Sequence, residues 1–425
     1  MLKKLLARVF REKDVKNRIF FTLGVISVFR FLAHIPLPGV DIAALRQLFS
    51  SNSLFGILNM FSGGGMENFS VVSLGLNPYI NASIILQLLT FALPRLKELA
   101  QEGEYGRMRI NQYTRLLTLP LAFLQGYGLY FLLSQQEIVA RLSPLPLVVL
   151  VSSLAAGSFF LIWLGEILTE KGIGDGISLL IFAGIVAGYP LAFGRTLAVA
   201  SAEHIGGVIL FAIMAIALIA GVVTVSEAVR RIKIEYATYT RGGKYYRGGE
   251  TYLPLRLNQA GVIPVIFAMS VMLIPPTLAR LFVDSPNRFL AKIALAVSTA
   301  FGTQGIFYTA FYFLTVVFFS FFYTAVVFNT TDIAENLQRR GGFIPGIRPG
   351  KATVGYLNQV LMRITFFGAI FLGVVAILPV IAGKITGVTT VSLGGTGILI
   401  VVSVILETLR RIEAQLVARD YEGYL

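Results

Sequence analysis

The sequence contains no cysteine in 425 residues, so it has neither a disulfide framework nor a thiolate metal site. Its two histidines, His34 and His204, are too few and too far apart for a metal cluster, and His34 beside Pro36 reads as an interfacial side chain. Charge is also scarce, at 14% of residues, and avoids the middle of the apolar runs. Arg30, Glu166, Glu227 and Glu407 all fall near run ends, so no mid-membrane carboxylate is available to relay protons. No nucleophile with base and orienting partner, no paired carboxylates and no P-loop are visible, which leaves catalysis and self-powered pumping without support. No cofactor is implied.

What the chain has in place of these is apolar length. Hydrophobic residues make up 56% and the mean hydropathy is +0.76, the composition of an all-α polytopic membrane protein with no sizeable soluble domain. Ten spans are expected, at 19–35, 75–93, 116–133, 147–165, 177–193, 207–225, 259–279, 305–328, 361–382 and 396–409. Before them, residues 1–18 place Leu2, Leu5, Leu6, Val9 and Phe10 on one helix side and cations elsewhere, as an interfacial amphipathic helix would. The run that follows ends in HIPLPG without a small-residue cleavage site, unlike a signal peptide. Trp163 sits where an interface anchor would.

Of the 36 lysines and arginines, 28 fall before residue 19, within 95–115, at 171, within 230–256, within 339–363 or in the tail at 410–425, which places both termini in the cytoplasm. Five spans precede the loop at 194–206 and five follow it, so the halves at 19–193 and 207–409 enter the membrane from opposite sides, permitting a pseudo-symmetric inverted repeat. LGLNPYINASII near residue 75 and LRLNQAGVIPVIF near residue 255 echo each other faintly.

The stretch 54–94 organises the rest. It begins half-apolar and broken by Gly63, Gly64 and Gly65, too short to cross, and becomes a span flecked with Asn77, Asn81, Ser83, Gln87 and Thr90. Irregular backbone at that depth is tolerated only beside protein or water, so this stretch is expected to line a central cavity. The triple glycine suggests low local order. Two cytoplasmic loops, at about 229–258 and 330–358, interleave basic residues with aromatics and turn-forming glycine and proline. The first alternates around Gly242 and Gly243 as a hairpin does. Such loops suit either the positive-inside rule alone or docking to RNA phosphates or an acidic protein surface.

Several long motifs carry a family resemblance: MFSGGG from Met60, LGLNPYINASIILQLLT from Leu74, EGEYGRMRINQYTR from Glu102, WLGEILTEKGIGDGISLLIFAGIVAG from Trp163, LNQAGVIPVIF from Leu257 and FIPGIRPGKAT from Phe343. In order and over essentially the whole chain, they resemble SecY, the large subunit of the bacterial protein-conducting channel. The resemblance implies a clamshell hinged at 194–206 and a short plug half-helix at about 54–70, with Phe61, Ser62, Gly63, Gly64, Gly65, Met66, Glu67, Asn68 and Phe69 as its heart. It implies a closing ring of Ile80, Ile84, Ile181, Ile185, Ile266 and Ile400. It further implies a lateral gate with Asn81, Gln87, Thr90, Asn258 and Val262, and partner docking at Arg241, Lys244, Arg247, Arg339, Arg340, Arg348 and Lys351. The implied partners are SecE and SecG membrane subunits, the SecA motor ATPase, the ribosome, signal-sequence-bearing polypeptides and membrane lipids, all at the cell inner membrane. The competing reading is a secondary solute transporter, because paired proline- and glycine-interrupted helices in two halves also mark a transporter site. A transporter needs a polar site at the waist, where this chain offers isoleucine.

Overall fold

The computed structural model describes residues 12–38, 40–51, 59, 62–199, 205–236, 239–241, 244–246, 249–259, 261–282, 287–302, 305–386 and 395–422. Its elements run α1 (Lys13–Leu32), α2 (Ile42–Ser51), α3 (Asn77–Ala92), α4 (Pro94–Gln101), α5 (Glu104–Gln135), α6 (Pro144–Lys171), α7 (Gly176–Val199) and α8 (Ile205–Glu227). Strands β1 (Val229–Tyr236), β2 (Tyr239–Arg241), β3 (Lys244–Tyr246) and β4 (Glu250–Arg256) follow. The chain then forms α9 (Ile263–Phe282), α10 (Arg288–Ala300), α11 (Ile306–Val327), α12 (Thr330–Arg339), β5 (Gly342–Phe343), α13 (Lys351–Thr386) and α14 (Gly395–Glu422).

A helix stands at each of the ten expected spans. Among the described residues, α5, α6, α8, α11 and α13 are long and apolar enough to cross a membrane, and the α3–α4 pair, bent by 102°, makes a sixth. The bend follows from Leu93–Pro94, since a residue before proline is pushed to extended backbone, and Leu93 has φ −104° and ψ 115°. α1 falls short because Lys16, Arg18 and Arg30 share its length, and α14 because Glu407 and its neighbours end the apolar half. α5 and α13 begin well before the expected spans at 116 and 361: charged and polar helix formers at 104–115 continue the α5 ladder, whereas the extension of α13 buries Leu357 and Val360 in the core with Ile232 and Leu255.

Among the described residues, four helices lie outside the expected spans, α2, α4, α10 and α12, and all but α4 open on a capping side chain. Asp41 Oδ1 accepts from the amides of Ala43 and Ala44, Asn287 Oδ1 from Phe289, and Asn329 Oδ1 from Thr331 and Asp332. Residues 13–18 are the first turns of α1 and not a separate interfacial helix; residues 1–11 lie outside the described residues. The physical reason is packing: Val15 is buried with Ile173, Ile412 and Leu416.

The chain packs as two compact units, Met1–Ile205 with Thr389–Leu425, and Gly206–Val388. In the first, α5 packs on α3 and α6, and α7 packs on α6 and α14. Small residues permit close approach: a Cβ at Gly176 of α7 would stand 1.9 Å from the Gly165 carbonyl oxygen of α6, and one at Gly157 of α6 2.0 Å from that of Val71, in the turns ahead of α3. The sequence division assigns 396–409 to the second half, whereas α14 packs within the first unit, with Thr408 against Gly174. In the second unit α11 packs on α9 and α13, with the Phe313 ring where a Cβ of Gly373 would be.

That second unit also holds a three-stranded sheet in the order β4-β1-β5. β1 pairs antiparallel with β4 from Val229↔Arg256 to Glu235↔Glu250, and with β5 through Glu235↔Phe343. The two basic loops, separate in sequence, are therefore one structure. β2 and β3 form the expected hairpin, Arg241 opposite Lys244, while Gly242 and Gly243 lie outside the described residues. On the outer edge of β4, Pro254 presents no N–H and the Arg256 amide donates to Gln259 Oε1 at 3.1 Å, which blunts that edge against further pairing.

Candidate functional site

Residues 62–76 form a run of tight turns between α2 and α3. Gly63 and Gly64 take φ of +67° and +81°, a region that glycine enters without the Cβ clash other residues meet. Side chains then tie the turns together. Ser62 Oγ donates to the Asn59 carbonyl and accepts from the Met66 amide, both at 3.0 Å. Asn59 and Glu67 bond reciprocally, Nδ2 to Oε2 at 2.9 Å and the Glu67 amide to Oδ1 at 3.0 Å. Ser73 Oγ donates to the carbonyls of Gly65 and Ser70.

The segment is seated on its neighbours as well. Phe69 is fully buried in a core with Leu45, Met66, Leu74, Tyr130 and Leu154, and its carbonyl accepts from the Leu37 amide at 2.9 Å. A Cβ on Gly63 would stand 2.6 Å from the Phe29 ring and 3.2 Å from the Gly184 Cα. The low local order expected from the triple glycine is thus corrected for residues 62–70: the glycines serve turn conformation and close approach. Phe61 and most of 54–60 lie outside the described residues.

Gly184 lies on α7 between two of the expected ring residues. Ile181 and Ile185 stand one turn apart on that helix and share a face, as do Ile80 and Ile84 on α3. Ile84, Ile181, Ile185 and Ile400 are buried, the last on α14, which packs on α7. Ile80 is half-buried in the same unit, and Ile266 is half-buried on α9 in the other. Of the expected gate residues, Asn81, Gln87 and Thr90 all lie on α3 but not on one face of it; Gln87 Nε2 donates to Ser83 Oγ at 3.4 Å and Thr90 Oγ1 to the Leu86 carbonyl at 2.7 Å. Asn258 Nδ2 donates to the Gly261 carbonyl at 3.1 Å just ahead of Val262 and α9, in a turn whose Leu257 carbonyl packs on Gly368 of α13.

The expected docking residues gather around the sheet of the second unit. Arg339, Arg340, Arg348 and Lys351 are exposed, and Arg339 pairs with Glu335 at 3.5 Å. Arg348 sits on a loop stiffened by Pro345 and Pro349, turned by Gly346 at φ +81° and Gly350 at φ +95°, with its carbonyl accepting from Thr353 Oγ1 at 3.0 Å. Beneath the loop, Ile232, Leu255, Ile344, Leu357, Val360 and Ile364 form one core. Arg241 and Lys244 lie on β2 and β3, and Arg247 lies outside the described residues. Lys233 is clamped between Glu235 at 2.8 Å and Glu250 at 2.9 Å, and these hydrogen-bonded carboxylates hold its ammonium above the ordinary lysine range. None of these pairings is read from the sequence, nor are two in the first unit: Arg115 with Glu166, and Arg30 with the carbonyl of Gly63. A charge inside or beside an apolar run is the signal that points to both.

The family model SecY matches residues 70–409. The chain belongs to the SecY family. The protein translocase subunit SecY of Streptomyces scabiei is 43% identical over 437 aligned residues that cover 99% of each chain. Two solved structures share the fold of this SecY family member. One is a SecY whose plug domain is described as stabilising the closed state of the translocation channel and maintaining a membrane seal; its TM-score is 0.62 at 21% identity, over 95% of this chain and 93% of that one. The other is Sec61 in the canine ribosome-channel complex of the endoplasmic reticulum, with a TM-score of 0.57 at 18% identity, over 94% and 92%.

Proposed function

We propose that this multi-pass membrane protein is the channel-forming subunit of a protein translocase, conducting unfolded polypeptide across the membrane and releasing apolar segments sideways into lipid. The observation that carries the mechanism is the seating of the glycine turn on the ring helix, Gly63 against Gly184 between Ile181 and Ile185. A ring of isoleucine resists wetting and ions yet grips no particular side chain, so an extended chain of any sequence slides through. A plug seated on that ring closes it at rest. A secondary transporter is not favoured, because its coupling requires polar groups where these helices carry isoleucine.

Force then comes from outside the chain, which belongs to a channel-subunit family rather than to an enzyme. In our reading SecE and SecG brace the subunit in the inner membrane and both termini face the cytoplasm. SecA or the ribosome docks on the sheet and the Arg348 loop, where cations stand on stiff turns suited to phosphate or carboxylate. We assign Asn81, Gln87 and Thr90 of α3 to the lateral gate. Purified complex in lipid vesicles tests the proposal. Addition of motor and ATP should move a signal-bearing pre-protein into the lumen without small-solute uptake; solute exchange without pre-protein import would favour the transporter.

A further inference from the structure

Arg30 lies near the outer end of the apolar run of α1, where a guanidinium is costly unless it finds an acceptor. Its Nη1 donates to the carbonyl oxygen of Gly63. That carbonyl is positioned by the backbone around it. Gly63 takes a positive φ that glycine favours, Phe29 and Gly184 leave no space for a Cβ on it, and a Cβ on Gly64 would stand 3.9 Å from Nη1 of the same guanidinium. A second tie leaves the end of α1 one turn further on. Asn68 Nδ2 donates to the Ala33 carbonyl at 3.3 Å, and Arg46 Nη2 donates to Asn68 Oδ1 at 3.0 Å. The last turn of α1 therefore holds the segment 63–68 at both of its ends.

We propose that Arg30 is the latch that keeps this segment seated on α7, so that breaking its bond to Gly63 is part of channel opening. A charge-assisted hydrogen bond outweighs a neutral one, and its donor stays on α1 when the segment leaves. Asn68, neutral and at longer distance, is the weaker tie. The inference rests on the plug reading above.

The chain lacks cysteine, so a single introduced thiol reports on seating without background. Met66 is buried, and Met66→Cys should resist a membrane-impermeant maleimide added from outside to the purified complex in vesicles. Adding Arg30→Met should raise both the labelling rate and the resting ion conductance, each by about tenfold, the loss expected for one charge-assisted bond. Arg30→Lys, whose ammonium can still reach the carbonyl, should restore most of the protection. If Arg30→Met does not insert, Arg30→Gln is measured instead, with the same expected rise. Labelling and conductance equal to those of the parent would overturn the latch. Deleting residues 62–68 separates the two ideas: if that deletion leaks while Arg30→Met does not, only the latch falls, and if the deletion does not leak, the plug reading falls with it.

Discussion

Gly63 and Gly184 meet backbone to backbone, 3.2 Å from the position of an absent Cβ to the Gly184 Cα, with the Phe29 ring closing the other side. Gly63→Val should therefore unseat the turn twice over, through positive φ and through collision. We expect a several-fold rise in resting conductance with normal insertion, and wild-type conductance would show that the contact does not seal.

The ring itself is tested by Ile84→Ser with Ile185→Ser. Hydroxyls let the constriction wet, so ion leak should rise while polypeptide transport survives. Unchanged conductance would mean that the waist lies elsewhere.

Gly157 is a stability prediction. A Cβ there would lie 2.0 Å from the Val71 carbonyl oxygen, backbone that cannot swing aside. Gly157→Leu should lower the yield of folded protein in mild detergent, consistent with an overpacking cost of about 1–3 kcal/mol. Gly128→Leu, where nothing lies within 4 Å, should not.

How much of this was legible from sequence differs by element. The ten long helices followed from apolar length, and the hairpin from alternation around Gly242 and Gly243. The sheet that fuses the two basic loops was not legible, because β5 is only Gly342–Phe343 and its pairing with Glu235 bridges about a hundred residues of chain. α2, α10 and α12 hid behind their short lengths, although Asp41, Asn287 and Asn329 announced their starts. The glycines at 63–65 were read as looseness, since composition cannot distinguish a mobile loop from a turn pressed on a neighbouring backbone. The Arg30 tie depends on that same geometry.

Lys233 bears on the sheet. Its raised pKa means the clamp stabilises the folded sheet fully below the ordinary lysine pKa and loses that contribution as pH rises through the higher folded value. Lys233→Met leaves Glu235 and Glu250 facing each other across the strands. Hydrogen exchange of β1 amides should speed up in the variant at pH 7, more so at low salt; equal protection would show that the clamp adds nothing.

Arg348 distinguishes docking from topology. A fixed planar fork is not replaced by a point charge, so motor-driven import should be impaired in Arg348→Lys and abolished in Arg348→Glu, with insertion normal. Equal rates in all three proteins would leave the loop as a positive-inside signal.

The central claim is that polypeptide passes through the isoleucine ring, and an arrested chain tests it most directly. A pre-protein carrying one cysteine is stalled in transit through complexes bearing either Ile185→Cys or Leu124→Cys, the latter on an exposed flank of α5. With no native cysteine to compete, disulfide formation should occur at residue 185 and not at residue 124. Crosslinking at 124 with none at 185 would place the path outside the ring and contradict the account.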